Sequence, residues 1–95
     1  MPKIEGFAYD GQNEAKFSAH GLTSESVDQV LSSPYFVRKN RKRRRGLFLV
    51  IGVDYRGRCI AIPIEPTREN LIWRPITAWP CKESEAVYLA KRKGR

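Results

Sequence analysis

Residues 46–79 constrain the fold more than any other stretch. Three apolar runs follow one another there, residues 47–53 (LFLVIGV), 58–65 (RCIAIPIE) and 71–79 (LIWRPITAW), rich in Ile, Val and aromatic residues and bounded by turn residues. Runs of that length and composition predict strands rather than helices. The links between them are only residues 54–57 and 66–70. A parallel pair needs a crossover of a dozen or more residues, so an antiparallel meander is expected. Pro63 and Pro75 lie inside these runs, and because proline lacks a ladder donor each is expected at a bulge or an outward-facing edge. A bulge shifts side-chain alternation. It therefore stays open whether Arg58 and Arg74 end a core face or turn onto an open one.

Upstream, residues 4–9 (IEGFAY) form a short strand candidate. Asp10 can cap a helix over residues 11–20, and Gly21 can end it in the left-handed conformation. Thr23 caps a second helix predicted over 24–32, with Leu22 and Val27 as a hydrophobic staple and Val27, Val30 and Leu31 as its apolar stripe. Pro34 closes it, and residues 35–38 (YFVR) read as a strand leading into a basic hairpin tip, 38–45. Pro80 suits the first turn of a last helix, 80 to about 91. Its acidic start and basic end follow the helix dipole. The order is thus β-α-α-β-β-β-β-α. It predicts one α+β domain over 1–95, a mostly antiparallel sheet with its helices packed on one face.

Charge narrows the function. The chain carries 18 Lys and Arg against 10 Asp and Glu, but the excess is concentrated. Residues 38–45 (RKNRKRRR) hold seven of the basic residues and the C-terminal tail 91–95 (KRKGR) four. The rest of the chain has seven basic and ten acidic residues, a balance of −3. A polyanionic partner is expected at the two runs. With two cysteines and one histidine, far apart in sequence, a four-ligand zinc site is a poor reading, and no metal or cofactor is expected. Cys59 reads as buried filler and both cysteines as reduced thiols, the cytosolic default. The start, MPKIEGFAYD, lacks the apolar core of a signal peptide, and no run approaches the ~20 apolar residues of a membrane span. A soluble, cytoplasmic protein with no membrane partner is expected.

Several of these residues together resemble a known family. They are the aromatic strand ending in Asp10, His20-Gly21 at the first helix end, the capped second helix, Gly52, Arg58, and Arg74-x-Ile76-Thr77-Ala78 before a helix bearing Glu85 and Tyr88. In order and spacing they resemble BrnT-type toxins, RelE-like ribonuclease toxins of type II toxin–antitoxin systems. The resemblance implies a compact RelE-like fold, metal-independent RNA cleavage, and neutralisation by a small DNA-binding antitoxin whose acidic or disordered segment covers the basic surface. Two departures stand out. Trp79 occupies the place of a second family arginine, and Arg43, Arg44 and Arg45 precede the first long strand where acidic residues are common.

RNA is cut without metal when the adjacent 2′-hydroxyl attacks the phosphate. The protein must then hold that geometry, stabilise phosphate charge and move two protons. Arg74 and Arg58 are the phosphate candidates, because a planar guanidinium binds phosphate oxygens through two N–H groups. His20 is a proton-transfer candidate, and Tyr88 can donate a proton or stack on a base. Glu85 is an outlying base candidate. Lys16, Arg68, Arg41, Arg43, Arg44 and Arg45 are expected to contact RNA, and Trp79 to stack on it. Each has a structural counterpart: His20 as a dipole cap, the arginines as partners of Glu65 or Glu69, the aromatics as core. A non-catalytic nucleic-acid-binding module and an interaction protein for an acidic partner are the alternatives to the enzyme.

Overall fold

A computed structural model describes residues 2–40 and 46–93. The short first strand β1 (Gly6–Phe7) leads to helix α1 (Gly11–Ala19) and helix α2 (Ser24–Gln29), which tightens into a 3-10 turn (Val30–Ser32). Strands β2 (Phe36–Lys39), β3 (Phe48–Val53), β4 (Cys59–Pro66), β5 (Ile72–Pro75) and β6 (Trp79–Pro80) follow, then helix α3 (Glu83–Lys93). The architecture is α+β, with a mixed sheet in the order β1-β5-β4-β3-β2 and β6 paired to β4. All pairs are antiparallel except β1 with β5.

Local chemistry sets the helix ends. The Asp10 carboxylate accepts from the Asn13 amide at 2.8 Å while the Asn13 side chain accepts from the Asp10 N–H at 3.0 Å, a reciprocal cap. Gly21 follows α1 with φ of 73°, a conformation that costs a side chain dearly. Thr23 caps α2 through Ser26, and Leu22 and Val27 are both buried in the core.

The third apolar run is not one strand. Ile64 pairs with Pro75 and Ala61 with Trp79, so four steps on one strand oppose three on β4. The extra residue makes a bulge that separates β5 from β6 beside Pro63 and Pro75, where a missing donor is tolerated. The bulge is closed by Ile76, whose N–H reaches the Pro63 carbonyl at 2.9 Å.

Three expectations are corrected here. The helices do not share one face. Phe17, Leu22, Val27 and Val30 pack with Val50, Ile60, Ile62 and Ile64 on one side, whereas Leu89 of α3 packs with Leu49, Ile51 and Ala61 on the other. Covering both faces is why β3 and the first part of β4 read as unbroken apolar runs rather than alternating ones. The last helix begins at Glu83, not Pro80. Trp79–Pro80 pairs with Ile60–Ala61, and the Cys81 N–H bonds the Cys59 carbonyl at 2.9 Å, which keeps this segment extended. Finally, the cysteines are not reduced filler, because Cys59 and Cys81 form a disulfide that closes the β4–β6 pairing.

Gly52 sits where the 3-10 turn crosses β3. A Cβ there would lie 2.7 Å from Val30 Cγ1 and 3.0 Å from Tyr35 Cβ, so only glycine lets the layers approach this closely. No helix among the described residues is long and apolar enough to cross a membrane.

Candidate nucleic-acid interface

Antiparallel pairing fixes where Arg38 points. It is opposite Leu49, in line with Phe36, and these two belong to the layer under α3. On α3, Tyr88 and Arg92 are four residues apart and therefore neighbours on one helix face. The Arg38 guanidinium lies 5.0 Å from the Tyr88 ring centroid and that of Arg92 4.1 Å. One aromatic ring thus brings together one arginine from each basic run, two residues some fifty positions apart in the chain. Each such contact at an exposed site is worth about 0.5–1 kcal/mol and leaves the cation its full charge.

Beside this ring is a cleft of about 120 Å³ lined by Arg38, Lys39, Asn40, Lys82, Ser84 and Glu85. Glu85 is buried at its wall and accepts from the Lys82 backbone N–H at 2.8 Å and from Trp79 Nε1 at 3.0 Å. It closes the first turn of α3 rather than serving as a free base. Trp79 packs against the α3-side core, and the Lys82 ammonium lies 5.7 Å from its ring centroid. A second, open cleft of about 450 Å³ is lined by His20, Trp79, Pro80 and Lys82. Lys82 borders both clefts.

The two arginines expected to share a phosphate do not meet. Arg58 immediately precedes β4, whereas Arg74 pairs across from Glu65. Seven residues of chain separate those positions, about 23 Å at the usual strand rise. Each guanidinium is also committed. Arg58 Nε donates to Asp54 at 2.8 Å, and its terminal nitrogen donates to the Ser26 hydroxyl at 3.1 Å. Asp54 is buried and also accepts from the backbone N–H groups of Arg56 and Arg58, so it folds the β3–β4 turn around itself. Burial pushes the Asp54 carboxyl up, but hydrogen bonds from the Arg58 backbone and side chain outweigh it and hold the group below the usual carboxylate range.

Arg74 grips both oxygens of Asp10, at 2.7 and 3.2 Å, and reaches Glu65 at 3.0 Å. The hydrogen bond from Arg74, then that from the Asn13 amide, holds Asp10 below its ordinary value. The same Asp10 bond, with that to Glu65, keeps Arg74 more firmly protonated than a free arginine. The Glu65 pairing was legible as the structural reading of Arg74, while the partners of Arg58 were not. On the same side of the molecule, burial and then a 2.8 Å hydrogen bond to Asp28 push the Tyr9 phenol well above its usual range.

The remaining candidates are dispersed. Lys16 and His20 are exposed on α1, His20 as its C-cap, and among the described residues no hydrogen bond or ion pair joins His20 to Arg58, Arg74 or Tyr88. Arg68 is exposed in the turn after β4. Arg41, Arg43, Arg44 and Arg45 lie outside the described residues. Arg38 and Lys39 belong to β2 itself rather than to a hairpin tip. Arg38 and Arg92 were legible only as members of the two basic runs, not as individual candidates, and Lys82 was not singled out in the sequence. The four-residue step from Tyr88 to Arg92 was the signal for one of them. Among the described residues no three His, Cys, Asp or Glu side chains cluster as a metal site.

The chain matches no protein-family model and no curated protein sequence.

Proposed function

We propose that the protein is an RNA-acting toxin component of a type II toxin–antitoxin pair, and that it holds RNA on the face built by β2 and α3 rather than between Arg58 and Arg74. The observation that carries this reading is the meeting of Arg38 and Arg92, one from each basic run, at Tyr88, with guanidinium carbons 5.0 and 4.1 Å from its ring centroid. Arginines held over a ring keep their charge and their forked donors for phosphate oxygens. The toxin part of the reading, with its RelE-like fold, rests on the resemblance of the chain to BrnT-type toxins, and a cytoplasmic site of action follows from RNA as the target.

In this reading Arg38 and Arg92 stabilise charge on the phosphate while the 2′-hydroxyl oxygen attacks phosphorus. The P–O5′ bond breaks as the new P–O bond forms. One proton leaves the attacking hydroxyl for solvent, and one must reach the departing 5′ oxygen, a role assigned here to the Tyr88 hydroxyl because a guanidinium does not give up its proton. An antitoxin segment rich in Asp and Glu would neutralise the same face by charge complementarity.

The test is expression of the chain without an antitoxin, together with incubation of the purified protein with RNA at low salt. Growth arrest and RNA cleavage, both abolished by Tyr88→Phe with Arg92→Ala, are expected. A second reading, a non-catalytic RNA-binding module, is favoured by the commitment of Arg58 and Arg74 to carboxylates. RNA binding with continued growth and intact RNA would select it. Absence of any RNA affinity at low salt would exclude both.

A further inference from the structure

We infer that the open cleft between His20, Trp79, Pro80 and Lys82 is a stacking subsite for an unpaired base, so that the ligand of the β2–α3 face is single-stranded RNA. This rests on the RNA reading above and adds to it the strandedness of the ligand and a base contact. Continuity along the surface supports it. Lys82 lines both this cleft and the basic cleft that holds Arg38 and Lys39. A backbone phosphate at the first cleft therefore places an adjoining base within reach of the second.

The chemistry of the walls fits a base better than another phosphate. They consist of an indole, a proline ring, an imidazole and one ammonium. The cleft is shallow and open, and at about 450 Å³ it has room for a base laid flat against one wall. The indole N–H is already donated to Glu85, so Trp79 offers a π-surface rather than a hydrogen bond. That predicts tolerance of base identity, because every base has a π-face. The Lys82 ammonium, 5.7 Å from the ring centroid, occupies the position over the indole that a base would take. Its exposed, flexible stem lets it swing to a neighbouring phosphate. Pairing of Trp79 with Ala61 and the Cys59–Cys81 disulfide hold the platform in place before any ligand arrives. A base inside a duplex shows only its edges in the grooves and cannot lie on this ring.

The experiment uses Trp73→Phe as the background, which leaves Trp79 as the single tryptophan. Three probes are titrated at low salt: an oligoadenylate, an abasic ribose-phosphate oligomer of the same length, and an RNA duplex. The oligoadenylate is expected to quench Trp79 emission and to bind about tenfold tighter than the abasic oligomer. It should also bind more tightly than the duplex. Trp79→Leu should remove the advantage over the abasic oligomer while leaving affinity for that oligomer itself. His20→Ala should reduce the advantage by about threefold, and because His20 is exposed it keeps the test open if Trp79→Leu fails to fold. Equal affinity for the base-bearing and abasic oligomers, or duplex binding as tight as single strand, overturns the subsite alone. Failure of every probe to bind overturns the RNA reading with it.

Discussion

Arg58 and Arg74 on one hand, and Arg38 and Arg92 on the other, are put to opposite uses. The first two face carboxylates at 2.7–3.0 Å, and each closes a piece of the fold. Arg58 organises the β3–β4 turn around Asp54, and Arg74 ties the N-cap of α1 to the β4–β5 ladder. The second two face an aromatic ring, whose quadrupole attracts a cation without cancelling its charge. The same residue type is thus structural where its neighbour is anionic and available to a ligand where its neighbour is a π-system. The division extends across the sheet. Residues 10–29 carry Asp10, Glu14, Glu25 and Asp28 against Lys16, whereas on the α3 side Arg38, Lys82, Lys91 and Arg92 outnumber Glu83 and Glu85.

The largest effect is expected from the bond that fixes the α3 side to the sheet. Cys59 and Cys81 are 22 residues apart in sequence, and closing a loop of that size lowers the entropy of the unfolded chain by the equivalent of about 3 kcal/mol. Cys59→Ser with Cys81→Ser should lower unfolding stability by that amount in denaturant titrations. A loss under about 0.5 kcal/mol would mean that strand pairing alone holds β6.

A crossed pair of variants then tests the two uses of arginine directly. Arg38→Ala with Arg92→Ala should weaken RNA binding about 100-fold at low salt while changing stability by only about 1 kcal/mol. The salt slope should become shallower by about 1.4, the counterion release of two single-strand phosphate contacts. Arg58→Ala should do the reverse, costing about 2 kcal/mol of stability, because it leaves a buried carboxylate short of a partner. That figure is set below the cost for a fully buried pair because the Arg58 side chain is 41% exposed. RNA affinity of a folded Arg58→Ala protein should stay within about twofold of the parent. Equal losses of RNA affinity in both variants would erase the distinction.

Much of the scaffold was legible. Asp10, Gly21 and Thr23 announced the helix ends because capping is local chemistry, and short links announced the meander. Pro63 and Pro75 announced a bulge but not that it would split a strand, since the split depends on the register of Ala61 with Trp79. The side taken by α3 was hidden for a related reason. An unbroken apolar run is compatible with a sheet covered on both faces, whereas element order alone does not say which face each helix takes. The disulfide was hidden because the cysteine count alone does not reveal that β4 and β6 are neighbours. Arginines were legible as phosphate ligands by type and not by partner. Asp54 reaches Arg58 across a four-residue turn, and Asp10 reaches Arg74 from the far side of the chain. The ring that gathers the other two depended on β2 register, which no local pattern specifies.

The smallest expected effect, and the sharpest on the carboxylate side, is in acid. Asp10 and Asp54 are both held below the ordinary carboxylate range in the folded protein. A depressed folded value means that the unfolded chain takes up the proton first as pH falls. The stabilisation is therefore complete above about pH 4, where the unfolded carboxylates are also ionised, and is lost progressively below it, down through the folded values. Urea unfolding measured from about pH 6 down to about pH 2.5 should show this acid limb in the parent protein. Arg74→Ala removes the leading cause of the Asp10 depression and should flatten the limb, as Asp54→Asn should by removing its other titrating group. Arg38→Ala with Arg92→Ala should leave the limb as it is, since among the described residues neither arginine pairs with a carboxylate. An acid limb as steep in Arg74→Ala as in the parent would show that Asp10 is held down by the α1 cap alone, and the carboxylate side of the comparison would then rest on Asp54.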